Sequence, residues 1–285
     1  MRHSKLFIRL RLLLIGLHLL SGALQVALLF PFGGGHWRQR LKRAWSRQLL
    51  LLLGIRVEAA GDGLDRIEAG LLVCNHISFI DIFVLNTLLP SAFVAKSDVL
   101  RWPLIGWLCR RNDTVFIERG SRKAAHDTHR SMLAAFGAGQ RLVVFPEGTT
   151  TVGERLLPFH AALFQSAIDA AVPVHALALG YHGADGLRSR APAYIDDISL
   201  VSCMASVLRT PGLVARVGLA GSFAPPLAER RQLAQCAQQA VATALAQSPG
   251  FAAAPGRPDF GPWIRGAFPQ MGGAQPPRNE AAIRT

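Results

Sequence analysis

One run of apolar residues, from 12 to 32, limits what this chain can be. Only His18, Ser21 and Gln25 interrupt it with polar groups. It reaches the roughly 20 residues needed to cross the hydrocarbon of a bilayer. A second segment, residues 37–54, starts strongly basic and ends in five consecutive leucines, Leu49 to Leu53. Between the two lies Pro31-Phe32-Gly33-Gly34-Gly35, a hinge or turn. From Met1 to Val57 there is no Asp or Glu, and ten Lys or Arg residues fall in that stretch. Both flanks of the first run are therefore basic, and the positive-inside rule holds both on the cytoplasmic side. A hairpin of two helices dipping into one leaflet satisfies this better than one crossing, though a single span remains open. A cleaved signal peptide fits less well, because Gln25-Val26-Ala27 is a poor cleavage site and more apolar sequence follows.

The charge distribution narrows the partners. Ten of the 13 net positive charges come from the N-terminal fifth of the 285 residues. They flank apolar runs rather than alternating with aromatics, which favours anionic lipid over nucleic acid. Mean hydropathy is +0.26, with only 17% charged residues. The four cysteines, Cys74, Cys109, Cys203 and Cys236, form no C-x-x-C pair, so no metal or redox motif is indicated.

From Ile55 onward, short apolar runs alternate with helical stretches. Strands are predicted at 70–74, 92–95, 114–117, 142–145, 174–179 and 214–220, and helices at 78–88, 99–110, 121–136, 161–170 and 227–246. This alternation predicts an α/β domain over residues 55–246, its largely parallel central sheet flanked by helices. The two-helix membrane segment, residues 1–54, precedes it. Residues 247–285 are rich in Pro, Gly and Ala and read as a mobile tail.

Three short constellations follow predicted strands. In Asn75-His76-Ile77-Ser78-Phe79-Ile80-Asp81, His76 stands at a strand end, where α/β sites usually lie. A spacing of five on one helix would put His76 and Asp81 about 140° apart. They pair only if the helix begins between them, and Ser78-x-x-Asp81 has the form of a capping box with Ser78 as N-cap. Asp81 would then lean back and orient the His76 ring as a base. Without that pairing, Asp81 is only a cap and His76 only a loop histidine. Phe145-Pro146-Glu147-Gly148-Thr149 ends another strand in a turn carrying a carboxylate. Val115-Phe116-Ile117-Glu118-Arg119 ends a third in an arginine suited to phosphate or carboxylate, or simply to the surface.

In this order, the three motifs resemble the glycerolipid acyltransferase family that includes 1-acylglycerol-3-phosphate O-acyltransferase. The resemblance runs from His76 to Asp81, through Phe116 to Arg119 and Phe145 to Thr149, to Val172-Pro173-Val174. It implies His76 as general base, Asp81 as its partner, and Arg119, Glu147, Gly148, Thr149 and Thr150 on the acceptor. It further implies a fatty acyl donor, acyl-CoA or acyl-acyl carrier protein, and a lysolipid acceptor, with phosphatidic acid as the leading product. No metal, cofactor or covalent acyl-enzyme is required. The implied location is the inner membrane, with the site facing the cytoplasm. Many members carry Gly at the position of Asp113 and Arg at that of Thr150. The run Gly148 to Thr151, with Leu157-Pro158-Phe159 after it, resembles the branch that acylates lyso-ornithine lipid.

Two other classes compete. Cys74 and His76, two apart beside a strand, could form a thiol hydrolase's nucleophile and base. A non-catalytic membrane-binding protein would keep the N-terminal helices, but has no need of the polar motif residues.

Overall fold

The order of polar and apolar runs resolves into one seven-stranded sheet. The computed structural model describes residues 5–117, 122–195 and 197–247. The strands are β1 Ile55–Ala60, β2 Gly70–Cys74, β3 Ala92–Lys96, β4 Val115–Ile117, β5 Arg141–Val144, β6 Val174–His182 and β7 Leu213–Phe223. Their spatial order is β1-β7-β6-β2-β5-β3-β4. Five neighbouring strands, β6 to β4 in that order, are parallel, while β7 runs antiparallel to β6 and β1 follows β7. Every residue of β2 is buried, as expected for a central strand covered on both faces. The sheet is therefore largely parallel and flanked by helices, as the alternation predicts.

Helices α1 Lys5–Leu28, α2 Gly35–Leu53, α3 Asp81–Leu88 and α7 Leu200–Leu208 cover one face. Helices α5 Arg122–Gly137, α6 Gln165–Asp169 and α8 Arg230–Ala246 cover the other. Helix α4 Pro103–Arg111 lies near α1. Strand β1 and helix α7 are absent from the sequence-based assignment. At the sheet edge β1 is half exposed and lacks a clean apolar run. The serines of α7 read as a loop, yet the side chain of Ser199 caps it by accepting the Ser202 N–H at 3.1 Å.

The N-terminal hairpin forms, with different limits. Helix α1 begins near Lys5, because the Arg and Leu residues ahead of the apolar run are good helix formers. It returns through a tight turn at Phe30–Phe32 into α2. Arg11 donates to the carbonyls of Leu51 and Leu52 at 3.0 and 2.8 Å, satisfying groups left open at the end of α2. His18 stacks on Trp45 at 4.7 Å, and Trp45 meets the edge of Phe83 on α3. Leu49, Leu50 and Leu53 enter the same core as Ile55, Leu72 and Leu85. Gly54 ends α2 with φ of 74°, which glycine adopts without strain. Of the expected C-terminal tail, residues 247–285, all but Gln247 lie outside the described residues.

Candidate active site

Parallel pairing of β2 with β5 brings their C-terminal ends side by side. Whatever follows Cys74 therefore sits beside whatever follows Val144. Asn75 sets the exit: its amide donates to the Leu179 carbonyl at 2.9 Å and accepts the Leu179 N–H at 2.8 Å. It thus replaces one more rung of the β2–β6 ladder with a side chain, and the next residue, His76, leaves the sheet plane.

His76 Nδ1 lies 2.9 Å from Asp81 Oδ2. Helix α3 begins at Asp81, so the two residues are not on one helix and the 140° separation does not apply. The capping box is half formed. Asp81 Oδ2 accepts the N–H of Ser78 at 3.0 Å and of Ile77 at 2.7 Å, but the Ser78 side chain does not cap the helix. Asp81 Oδ1 accepts the Tyr181 hydroxyl at 2.7 Å. The carboxylate is fully buried, and four donors surround it. An ionised carboxylate can only accept, so this arrangement places the His76 proton on Nδ1 and leaves Nε2 with a lone pair. Burial, and then the charge of Asp81, push the Tyr181 phenol well above its ordinary pKa, so it stays a donor. Among the described residues none hydrogen-bonds Nε2. The His76 side chain is 18% exposed, and its ring stacks on Phe145 at 3.9 Å, 11° from parallel.

Glu147 follows β5 in a turn closed by the Gly148 N–H on the Phe145 carbonyl at 3.0 Å. Gly148 has φ of 69°, a left-handed value that favours glycine. Glu147 is 4% exposed, and both of its oxygens are engaged. Oε1 accepts the His76 N–H at 2.8 Å and Oε2 accepts the Leu157 N–H at 2.9 Å. Burial raises its pKa to about 6, against the lowering effect of these two bonds and of His76. The resemblance assigns Glu147 to the acceptor; in this arrangement its carboxylate instead holds the backbone of His76. Thr149 is exposed beside it. The Thr150 hydroxyl donates to the Tyr194 carbonyl, and the Thr151 N–H donates to the His76 carbonyl at 2.9 Å. Arg119 lies outside the described residues. Asp113 has φ of 59°, which explains why glycine suits that position in similar chains.

The thiol hydrolase reading fails on geometry. Cys74 is wholly buried in the core. Burial, then the negative charges of Asp81 and Glu147, push its thiol well above the usual range. A thiol buried and pushed up in this way is poorly placed to act as a nucleophile. Sequence reasoning gave no role to Asn75 and Phe145, which lie within the motifs, and missed Tyr181. Tyr181 had one usable signal. It is one of only two tyrosines, on a strand that becomes buried, and a buried phenol needs an acceptor.

Comparison with known proteins gives the family of the chain and its fold. Residues 56–180 match the family described as Acyltransferase. A 1-acyl-sn-glycerol-3-phosphate acyltransferase of Neisseria meningitidis is 37% identical over 180 residues, 63% of this chain and 70% of that one. A lyso-ornithine lipid O-acyltransferase of Pseudomonas aeruginosa is 37% identical over 215 residues, 73% of this chain and 79% of that one. The crystal structure of the 1-acyl-sn-glycerophosphate (LPA) acyltransferase from Thermotoga maritima shares the fold. Its TM-score is 0.60 at 20% identity, and the match covers 84% of this chain and 97% of that one. With a relative of this identity covered over most of its length, the chain belongs to the acyltransferase family and is an acyltransferase.

Proposed function

We propose that this enzyme transfers a fatty acyl group from a thioester, acyl-CoA or acyl-acyl carrier protein, to the hydroxyl of a lysolipid. The leading acceptor is 1-acylglycerol-3-phosphate, giving phosphatidic acid. The carrying observation is the His76–Asp81 pair, with Asp81 held by four donors and, among the described residues, no hydrogen-bond partner on Nε2 of His76. Nε2 takes the proton from the acceptor hydroxyl as its oxygen attacks the thioester carbonyl. A C–O bond forms, and the tetrahedral oxyanion collapses with loss of the C–S bond. The proton on Nε2 passes to the departing sulfur. Asp81 keeps the ring oriented and stabilises the transient imidazolium.

The resemblance to the Neisseria relative supports the phosphate acceptor. One observation favours lyso-ornithine lipid as a second reading. Thr150 stands where an arginine would hold the acceptor phosphate, and its hydroxyl is turned to Tyr194.

Membrane attachment through α1 accords with this substrate class. Leu6, Leu10, Leu13, Leu17, Leu20, Leu24 and Leu28 form an exposed stripe at helical spacing. Ile8, Ile15, Ala23 and Val26 on the other side are buried against the protein. A helix with one protein side and one leucine side supports a hairpin set into one leaflet, on the cytoplasmic face of the inner membrane.

The test is release of free thiol by purified enzyme given one acyl donor and a lysolipid. His76→Ala is expected to lower turnover by about 10²–10⁴-fold while the protein still folds and binds membrane. Near-normal turnover in that variant would sink the mechanism.

A further inference from the structure

A second group of charges gathers at the end of the sheet opposite His76, where the acyl-transfer chemistry has no use for it. His76 and Glu147 follow the C-terminal ends of β2 and β5. Arg141 is instead the first residue of β5, and Pro90 lies just before β3. A cavity of about 190 Å³ opens here between α2 and Pro90, lined by His36, Gln39, Arg40 and Arg43. Arg141 stands behind it. Its Nε donates to the Pro90 carbonyl at 3.2 Å, its Nη1 to the Ile67 carbonyl at 3.0 Å and its Nη2 to Gln39 Oε1 at 3.4 Å. Arg43 donates from Nη2 to the Leu88 carbonyl at 3.0 Å, which fixes its guanidinium at the rim.

Among the described residues, no acidic residue lines this cavity. Among the described residues, no ion pair involves an arginine of α2. Arg43 and Arg141 are near enough that their like charges reinforce burial in lowering the Arg141 pKa. Guanidinium groups converging on a cavity without a carboxylate leave the position of an anion unfilled, and arginine matches phosphate oxygens in geometry.

The surroundings indicate which anion. One turn before Arg40, on the same side of α2, Trp37 is 48% exposed, and Phe32 in the hairpin turn is 90% exposed. Exposed apolar side chains thus precede the cavity's arginines along the hairpin, Trp37 on the same helix and Phe32 in the turn. We propose that this cavity binds the phosphate of an anionic membrane phospholipid, with Arg40 and Arg43 on its oxygens and its acyl chains over Trp37 and Phe32. This lipid is not a substrate, since the cavity lies at the opposite end of the sheet from His76. It fixes the hairpin's depth and orientation in the membrane.

The test is thermal unfolding of the full-length protein in detergent, titrated with phosphatidylglycerol, phosphatidylcholine or inorganic phosphate. A ligand that binds only the folded state stabilises it by RT ln(1 + L/Kd) at free concentration L, so the concentration dependence gives an apparent Kd. Phosphatidylglycerol is expected to raise the Tm, and phosphatidylcholine to have little effect. Arg40→Gln with Arg43→Gln should weaken the phosphatidylglycerol Kd by at least about tenfold. Arg9→Gln with Arg47→Gln removes the same charge from exposed positions outside the cavity and should leave that Kd unchanged. Because Arg43 also bonds Leu88, Arg40→Gln alone must weaken binding. Equal weakening in both double variants would reduce the effect to diffuse surface charge and overturn the site. A full effect from inorganic phosphate would overturn the lipid assignment, and no effect of phosphatidylglycerol would overturn both.

Discussion

The backbone N–H of His76 donates to Glu147 Oε1 at 2.8 Å, so a side chain on the β5 turn holds the loop that presents the His76 ring after β2. The relationship joins two motifs 71 residues apart in sequence. It also exposes the enzyme to pH through a residue that need not touch substrate. Glu147 has a pKa of about 6 in the fold against an ordinary 4.5, with burial as the main cause. Between these values the folded state binds more protons than the unfolded state, so the carboxylate's contribution to stability falls as pH rises through about 4.5 to 6. The full difference is about 2 kcal/mol. Glu147→Gln cannot titrate. Its NH₂ also faces one of the two N–H donors, so one hydrogen bond is lost and the variant is less stable throughout. Thermal unfolding of both proteins from pH 4.5 to 7 should show the wild-type advantage shrinking as pH rises. A constant gap would show that Glu147 is not held in this environment.

The four donors on Asp81 separate its structural role from its chemical one. Asp81→Ala strands the buried N–H groups of Ile77 and Ser78, at about 1–3 kcal/mol each, and should visibly lower the Tm. Asp81→Asn can keep three donors on its oxygen, with its NH₂ toward a Tyr181 hydroxyl that now accepts. It should fold, yet lose about 10²–10⁴-fold in turnover because the imidazolium has no counter-charge. Tyr181→Phe leaves the charge and removes one donor. It should lower kcat several-fold with KM unchanged, and a change confined to KM would contradict the positioning role.

The N-terminal segment is less separable than its composition suggests. Leu49, Leu50 and Leu53 pack with Leu72 and Leu85, and Trp45 packs on Phe83. Removing residues 1–54 would uncover this face of the core as well as delete the leucine stripe of α1. The truncated chain is therefore expected to aggregate and to lack a cooperative unfolding transition. Recovery of a soluble, cooperatively folding 55–285 fragment would show that α2 is an anchor only.

How much of this was legible in the sequence depended on the range of the interaction involved. Strand β2 and the turns after β2 and β5 could be read because an apolar run followed by a polar motif is a local signal. The His76–Asp81 pair was readable for the same reason, once the helix was allowed to start between them. Tyr181 and Asn75 were not, because their partners lie 100 and 104 residues away and only strand order brings them together. The resemblance assigns Glu147 to the acceptor, and the sequence does not show that both of its oxygens are taken by backbone N–H groups. No local pattern announces that the N–H groups of His76 and Leu157 will close over it.

Acceptor choice should turn on Thr150. Its hydroxyl is spent on the Tyr194 carbonyl, next to the exposed Thr149 on the turn that carries Glu147. An arginine here would give up that bond but could reach outward with a fixed cationic fork. Lysophosphatidic acid offers a phosphate to such a fork, while lyso-ornithine lipid is zwitterionic and has no phosphate. One charge-assisted hydrogen bond contributes about 1.5–3 kcal/mol, which exceeds tenfold in affinity. Thr150→Arg is therefore expected to raise kcat/KM on lysophosphatidic acid by about tenfold relative to lyso-ornithine lipid. Thr150→Val removes the hydroxyl without adding charge, so it should leave the ratio near that of wild type and isolates the guanidinium as the cause. Both acceptors are assayed with one acyl donor, by free thiol released. If wild type already strongly prefers lysophosphatidic acid and Thr150→Arg leaves the ratio unchanged, the phosphate is held elsewhere. Arg119 would then be the next residue to replace.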